Sequence, residues 1–306
     1  MRKVLIATQK PFAPAAVEQI KAVFNEVNYD CQVFEKYAEQ SELLEAVKDA
    51  EALIIRSDQV TLEVIAAAKN LKIVVRAGAG FDNVNLDAAT SNNVVVMNTP
   101  GQNSNAVAEL ALGMMVFMAR SKFNGTSGTE LFGKKLGIHA YGNVGKHVAR
   151  IAKGFGMEVF AFDPFIPEEA ITADGVKVCK TSEEMYSICD YISLHIPANE
   201  KTIQTINYAL LSKMNDNATL VNTARKEVIH EDDMMKIFND KPNFKYVSDI
   251  APNNADALVS EFGDRCFFTP KKMGAQTAEA NINAGIAAAR QIIGFFENGD
   301  ETFKVN

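Results

Sequence analysis

Short apolar runs rich in β-branched side chains fall at residues 4–7, 52–55, 73–76 and 94–97, and the stretches 14–24 and 62–68 carry apolar residues at helical spacing. This rhythm predicts a parallel sheet, and the scarcity of polar positions inside the runs predicts helices over both of its faces. Thr99, Pro100 and Gly101 break the pattern near Asn98. Residues 106–119 then read as one long helix, so apolar that burial nearly all round is expected, against the other domain or another subunit. After a polar loop at 124–129 the rhythm restarts at Lys135, with strands expected at 136–140, 158–162, 191–195, 219–222, 246–249 and 266–269. A last, alanine-rich helix at 277–297 is long enough to return to the first domain. The expected fold is α/β, with two Rossmann-like, doubly wound domains: one formed by 1–98 and 280–306, the other, 99–279, inserted into it.

A chain of 306 residues with 47% apolar content can bury two cores of this kind. The net charge of −7 makes a nucleic-acid partner unexpected, because phosphate backbones are gripped by clustered Lys and Arg. Cys31, Cys179, Cys189 and Cys266 show no C-x-x-C spacing, so they are read as reduced thiols, with no metal site and no disulfide framework expected. The opening apolar run ends by Gln9-Lys10-Pro11, too soon for a signal peptide, and no run reaches the roughly 18 residues of a spanning helix. A cytoplasmic protein without membrane association is expected.

The sharpest local motif is residues 135–145, KLGIHAYGNVG, which follows a predicted strand and opens a predicted helix at 144–155. Ala140, Gly142 and Gly145 take the G-x-G-x-x-G spacing, and Tyr141, Asn143 and Val144 lie between them. Gly142 would let backbone approach a pyrophosphate, Gly145 would let helix pack on strand, and the helix N-terminus would supply free N–H donors. Ala140 departs from the first glycine, which suits a tight turn provided its φ stays negative. About 20 residues on, Asp163 ends the next strand, where an acid accepts from ribose hydroxyls and repels a 2′-phosphate. The expected cofactor is therefore NAD.

Further segments together resemble the D-isomer-specific 2-hydroxyacid dehydrogenases over nearly the whole chain. They are AGAGFDNV at 77–84, NTPGQNSNAVAE at 98–109, DYISLHIP at 190–197 followed by Thr202, VNTAR at 221–225, and SDI at 248–250. The resemblance implies a substrate domain and an NAD domain with a cleft that closes on a small-molecule ligand. It makes Arg225 the residue that binds the substrate's carboxylate and carbonyl, a role suited to the paired N–H donors of a guanidinium. It puts Asp249 opposite the nicotinamide carboxamide, and His195, Pro197, Thr202, Thr223, Ala224 and Gly274 along the cofactor. His195 reads equally as a satisfied core histidine. Arg56 and Ser57 correspond to a strand-end pair facing the substrate, with a solvated edge charge as the plainer reading, and Gly78, Ala79 and Gly80 to a carboxylate cradle of backbone N–H groups. Arg76 adds positive charge beside that loop.

One departure matters. The family's proton-transferring histidine lies in a TPHxGA segment, but residues 269–275 here read TPKKMGA, so counting from either end meets a lysine, Lys271 or Lys272. The glutamate that follows the strand-end aspartate in the family is replaced by Asn254, with Asn253 beside it. On one reading Lys272 is the acid and base, its pKa drawn down by Arg225, burial and the oxidised nicotinamide; loss of the glutamate then fits, since that carboxylate would pin the ammonium proton. On the other, proton transfer is lost and the chain is an NAD-binding regulator. Size and the start of the chain are similar to short family members that oxidise D-3-phosphoglycerate and lack a regulatory domain. That acid is the substrate expected, ahead of glyoxylate, hydroxypyruvate or a D-lactate-type acid. The apolar helix suggests a homodimer, as in the family.

Overall fold

The computed structural model describes all 306 residues and divides the chain into two compact units, Met1–Asn103 with Thr277–Asn306, and Ser104–Gln276. In the first unit the strands β1 (Lys3–Thr8), β2 (Asp30–Glu35), β3 (Ala52–Ile55), β4 (Ile73–Arg76) and β5 (Val95–Asn98) alternate with the helices α1 (Pro14–Asn25), α2 (Gln40–Ala46), α3 (Leu62–Ala67) and α4 (Leu86–Ser91). All pairings are parallel and the order is β2-β1-β3-β4-β5. The topological switch point of this sheet lies between β1 and β3, so the loops after Thr8 and Ile55 flank the crevice where doubly wound sheets take ligands.

The second unit opens with α5 (Ser104–Ala119) and continues β6 (Lys135–His139), α6 (Asn143–Gly154), β7 (Glu158–Phe162), α7 (Glu168–Ala173), β8 (Lys177–Val178), α8 (Ser182–Ile188), β9 (Tyr191–Leu194), α9 (Tyr208–Leu211), β10 (Thr219–Asn222), α10 (Glu231–Asp240), β11 (Lys245–Ser248), α11 (Ala255–Phe262) and β12 (Cys266–Phe268). Its seven parallel strands run β12-β11-β10-β9-β6-β7-β8, reversing direction of build between β6 and β9. The inner strands are buried on both faces; β9 and β10 have no exposed residue.

Helix α12 (Ala278–Asn298) then returns to the first unit, so the second is an insertion. Thr277 caps α12 by accepting from the Ala280 amide at 3.1 Å, and Gly299 ends it in a left-handed turn at φ 66°. It buries Ala284, Ala288, Ala289 and Ile292 with Phe12, Ala16, Ile20 and Phe24. Gly285 allows the close approach to α1, since a Cβ there would lie 2.5 Å from Ile20 Cδ1. Val305 then donates to the Val96 carbonyl at 2.9 Å, covering the free edge of β5.

Helix α5 differs from its expectation. It buries Val107, Ala108, Ala111, Leu112, Met114, Met115, Met118 and Ala119, but Asn105, Glu109 and Gly113 are exposed. The burial is one-sided and lies within the second unit. No helix is long and apolar enough to cross a membrane, and no metal-holding cluster of His, Cys, Asp and Glu occurs.

Candidate active site

In the second unit, β6 ends at His139 and the turn to α6 is made by residues 140–142. The Ala140 amide donates to the Phe162 carbonyl at 3.0 Å, tying this turn to the end of β7. Its φ is +79°, not the negative value expected, because the tight turn demands the left-handed region whether or not a glycine is present. At Gly145 a Cβ would sit 2.5 Å from the Ala140 carbonyl oxygen, so only glycine lets α6 pack on β6. At Gly142 a Cβ would meet nothing within 4 Å: the space in front of this backbone is open. The helix has no side-chain cap, and the Lys146 amide donates to the Gly142 carbonyl at 3.0 Å, so the amides of the first turn before it have no helical acceptor.

Asp163 closes the other side of the loop. One carboxylate oxygen accepts from the Tyr141 amide at 2.7 Å and the other from the Phe165 amide at 2.8 Å. Each oxygen retains lone pairs for a hydroxyl. Tyr141 presents only its backbone here; its ring is fully buried and the phenol donates to Asp174 Oδ2 at 3.0 Å. Open space at Gly142, uncapped N–H donors and an acid at the end of β7 fit a dinucleotide, with the acid set against a 2′-phosphate.

On the other side of the switch point, β9 ends and His195 follows. Burial pushes its imidazole down to about 3, and nearby His139 adds to the effect. Ser193 Oγ lies 2.9 Å from its Nε2 and Thr223 Oγ1 3.4 Å from its Nδ1, so both ring nitrogens are engaged within the unit, as the core-histidine reading requires. Pro197 is exposed, and its carbonyl accepts from Thr202 Oγ1 at 2.5 Å; that oxygen also takes the Asn199 amide at 2.9 Å, closing the 197–202 loop on itself.

Beyond β10 and β11 the charged side chains gather. Arg225 is half-buried and its Nη1 donates to the Ala224 carbonyl at 3.0 Å. Lys272 Nζ donates to the same carbonyl oxygen at 2.7 Å, so guanidinium and ammonium share one acceptor. Lys271 is exposed and offers its carbonyl to Thr269 Oγ1 at 2.8 Å. Of the two lysines it is Lys272 that stands beside Arg225. Asp249 is wholly buried; burial raises its pKa, against which Lys272, the Gly274 amide and Arg225 hold it down. Its Oδ2 accepts from the Gly274 amide at 2.9 Å, and its Oδ1 is buried with no partner. A Cβ on Gly274 would come 2.8 Å from that Oδ2. An unmet buried acceptor at this strand end is what a carboxamide donor would satisfy.

Asn254 stands apart from Lys272 in its bonding. Its Nδ2 donates to the Glu231 carbonyl at 3.3 Å and its Oδ1 is buried without a partner, while Asn253 accepts from Lys226 Nζ at 2.6 Å. With the family's glutamate replaced by Asn254, it is Asp249 whose carboxylate interacts with the charge of Lys272.

In the first unit, the Gly78 amide donates to the Arg76 carbonyl at 2.8 Å, so it is not available for a cradle; Ala79 and Gly80 are left to offer theirs. Gly78 has φ +153°, and a Cβ there would lie 1.6 Å from Arg76 Nη1, so a side chain at 78 would strain the backbone and displace the Arg76 guanidinium. Asn98 Nδ2 donates to the Ala79 carbonyl at 2.6 Å and the Thr99 amide to Gly78 at 2.9 Å, which fixes the loop from β5. Ser57 is exposed. Arg56 is not a solvated edge charge: its Nη1 donates to the Lys10 and Pro11 carbonyls at 3.1 and 3.0 Å, and its Nη2 to Asn281 of α12. The sequence reading missed Asp58, buried in the loop after β3, which accepts from the Gln9 amide at 2.6 Å and the Tyr37 phenol at 2.7 Å.

Two parallel α/β units, one carrying a dinucleotide loop at its switch point, define an oxidoreductase architecture, and comparison with known proteins gives the family. Residues 114–270 match the D-isomer specific 2-hydroxyacid dehydrogenase, NAD binding domain. The chain belongs to that family, and its second unit carries the NAD-binding domain. A D-3-phosphoglycerate dehydrogenase of Methanocaldococcus jannaschii is 35% identical over 270 residues, 83% of this chain and 51% of that protein. A hydroxypyruvate reductase of Thermotoga maritima is 34% identical over 284 residues, 86% of this chain and 90% of that protein. The chain thus spans about half the length of the phosphoglycerate dehydrogenase and most of the reductase. The NAD+-bound 3-phosphoglycerate dehydrogenase crystal structure from Entamoeba histolytica superposes with a TM-score of 0.89 at 43% identity, covering 100% of this chain and 98% of that one.

Proposed function

We propose that this protein oxidises D-3-phosphoglycerate to 3-phosphohydroxypyruvate, reversibly and with NAD, and that Lys272 takes the place of the family's histidine. The observation that carries this reading is the shared Ala224 carbonyl, which sets an ammonium beside a guanidinium next to the unmet oxygen of Asp249. The early amides of α6 and Gly142 would hold the pyrophosphate, Asp163 the adenosine ribose, and Asp249 with Ala224 the nicotinamide end. When bound, NAD takes the C2 hydride in oxidation and returns it in reduction. Arg225 binds the substrate carboxylate and polarises the C2 carbonyl through parallel N–H donors. In oxidation Lys272 Nζ accepts the hydroxyl proton; in reduction it donates that proton to the carbonyl oxygen.

The first unit is read as the substrate domain, with the amides of Ala79 and Gly80 for the carboxylate. Beyond its bonds to Lys10, Pro11 and Asn281, Arg56 keeps its Nε–H and one Nη2–H, and with Ser57 and Arg76 it would supply polar contacts for the phosphate. The product would open serine synthesis. Pairing of two copies through the α5 region is part of the same reading.

Hydroxypyruvate reduction is the second reading, favoured by the near full-length match to the Thermotoga maritima reductase. Absorbance at 340 nm with NADH separates the two. Consumption with 3-phosphohydroxypyruvate well above that with hydroxypyruvate or glyoxylate, and a fall of at least about 10²-fold in Lys272→Ala, is expected. Equal rates with unphosphorylated acids would move the assignment to the reductase. Tight NADH binding with no turnover on any of them would mean an NAD-binding regulator.

A further inference from the structure

Asn222, the last residue of β10, is fully buried and uses every polar group it has. Its Oδ1 accepts from the Ala224 amide at 2.9 Å and its Nδ2 donates to the Arg225 carbonyl at 3.0 Å. The two bonds grip the peptide groups on either side of the Ala224–Arg225 linkage. The peptide between them is the one whose carbonyl receives both Arg225 Nη1 and Lys272 Nζ. The Asn222 main chain is fixed in turn: its carbonyl accepts from Ser248 Oγ at 3.0 Å and from the Asp249 amide at 3.1 Å. One residue therefore joins the Asp249 segment, through its main-chain carbonyl, to the acceptor shared by both cations, which its carboxamide holds.

We propose that Asn222 is a positioning residue for substrate turnover, setting the Ala224 carbonyl and thereby the placement of the Arg225 guanidinium and the Lys272 ammonium. The proposal rests on the roles given to those two cations above. A carboxamide is required because one end must accept from Ala224 and the other must donate to Arg225; a carboxylate keeps the first bond and loses the second. Gly142 and Asp163 follow β6 and β7, away from Asn222 in the sheet order, so loss of the carboxamide should spare the pyrophosphate and adenosine contacts and reach the cofactor only at its nicotinamide end.

The test compares the intact enzyme with Asn222→Ala and Asn222→Asp, measuring NADH Kd by fluorescence, melting temperature, and KM and kcat for 3-phosphohydroxypyruvate across pH. Misplacement on the scale of an ångström costs about 10²-fold, so kcat/KM should fall by roughly that in Asn222→Ala, with NADH Kd within about threefold of native. Asn222→Asp, which keeps the acceptor, should fall between the two and remains informative if the alanine variant fails to fold. Unchanged kcat/KM would overturn the proposal, as would a loss that parallels NADH affinity and melting temperature in both variants. A fully active Lys272→Ala enzyme beside a raised KM in Asn222→Ala would reject the lysine's role while retaining the positioning of Arg225.

Discussion

Ala140 pays a conformational penalty that glycine would not, since a left-handed alanine costs about 1–2 kcal/mol. Glycine costs about 0.5–1 kcal/mol in unfolded-state entropy, so Ala140→Gly should still stabilise by about 0.5–1 kcal/mol and raise the melting temperature by about 1–3 °C. Calorimetry showing destabilisation would mean that the turn is relaxed by contacts of the alanine methyl. The two interior histidines have the opposite kind of consequence. Burial pushes His139 down to about 4 and His195 to about 3, below the roughly 6.5 of an unfolded chain. As pH falls through 6.5 the unfolded chain takes up protons first, so stability is full above that pH and is lost on the way down, on the order of 2–3 kcal/mol per ring by pH 4. Urea unfolding from pH 7 to pH 4 should show this fall, and it should be shallower in His195→Gln. An identical slope in that variant would show that carboxylates, not this ring, govern the acid limb.

Elements carry the loop's function through two glycines with different duties. Gly142→Ala meets open space, so it should leave the melting temperature within about 2 °C of native while weakening NADH at least about tenfold, where the new methyl meets the phosphates. Gly145→Ala puts a methyl on the Ala140 carbonyl and should weaken both stability and NADH binding. Paired melting curves and NADH titrations decide it; equal effects at the two positions would deny them separate roles. The spacing of these glycines was legible in the chain because the motif is local. So were the buried strands, whose unbroken apolar runs leave no doubt of type. Strand β2 was not, since DCQVFE lies at the edge and is only partly buried, and α2, α4 and β8 are too short to show a period. Strand ends were placed one residue late at Ala140, His195, Asp249 and Thr269, each of which lies just past its strand, where the loops bearing chemistry begin. The role of Asn222, although it lies within the VNTAR segment, and that of Asp58 were not legible: a buried polar side chain declares its work only through partners the fold brings to it.

At the scale of the whole molecule, insertion of one unit into another raises the question of which parts can stand alone. The large side chains of the second unit form two clusters, and every buried member of both lies between Ala108 and Cys266. Neither borrows a residue from the first unit. The first unit's core instead closes only when Ala284, Ala288, Ala289 and Ile292 of α12 join Phe12, Ile20 and Phe24, so its sheet face is completed by chain that lies beyond the insertion. Removing α12 would strip that face and expose several side chains, each worth about 1.5–3 kcal/mol when buried, against a total stability of about 5–15 kcal/mol for a domain. Residues 104–276 expressed alone should therefore melt cooperatively and bind NADH within about tenfold of the full chain, whereas residues 1–103 alone should lack a cooperative transition. Restoring residues 277–306 to the latter through a short flexible linker should recover it, because that segment carries the α12 residues that complete the cluster. A linked unit that remained unfolded would show that the first sheet needs the second unit present to form, and would turn the insertion from a matter of chain order into a folding requirement.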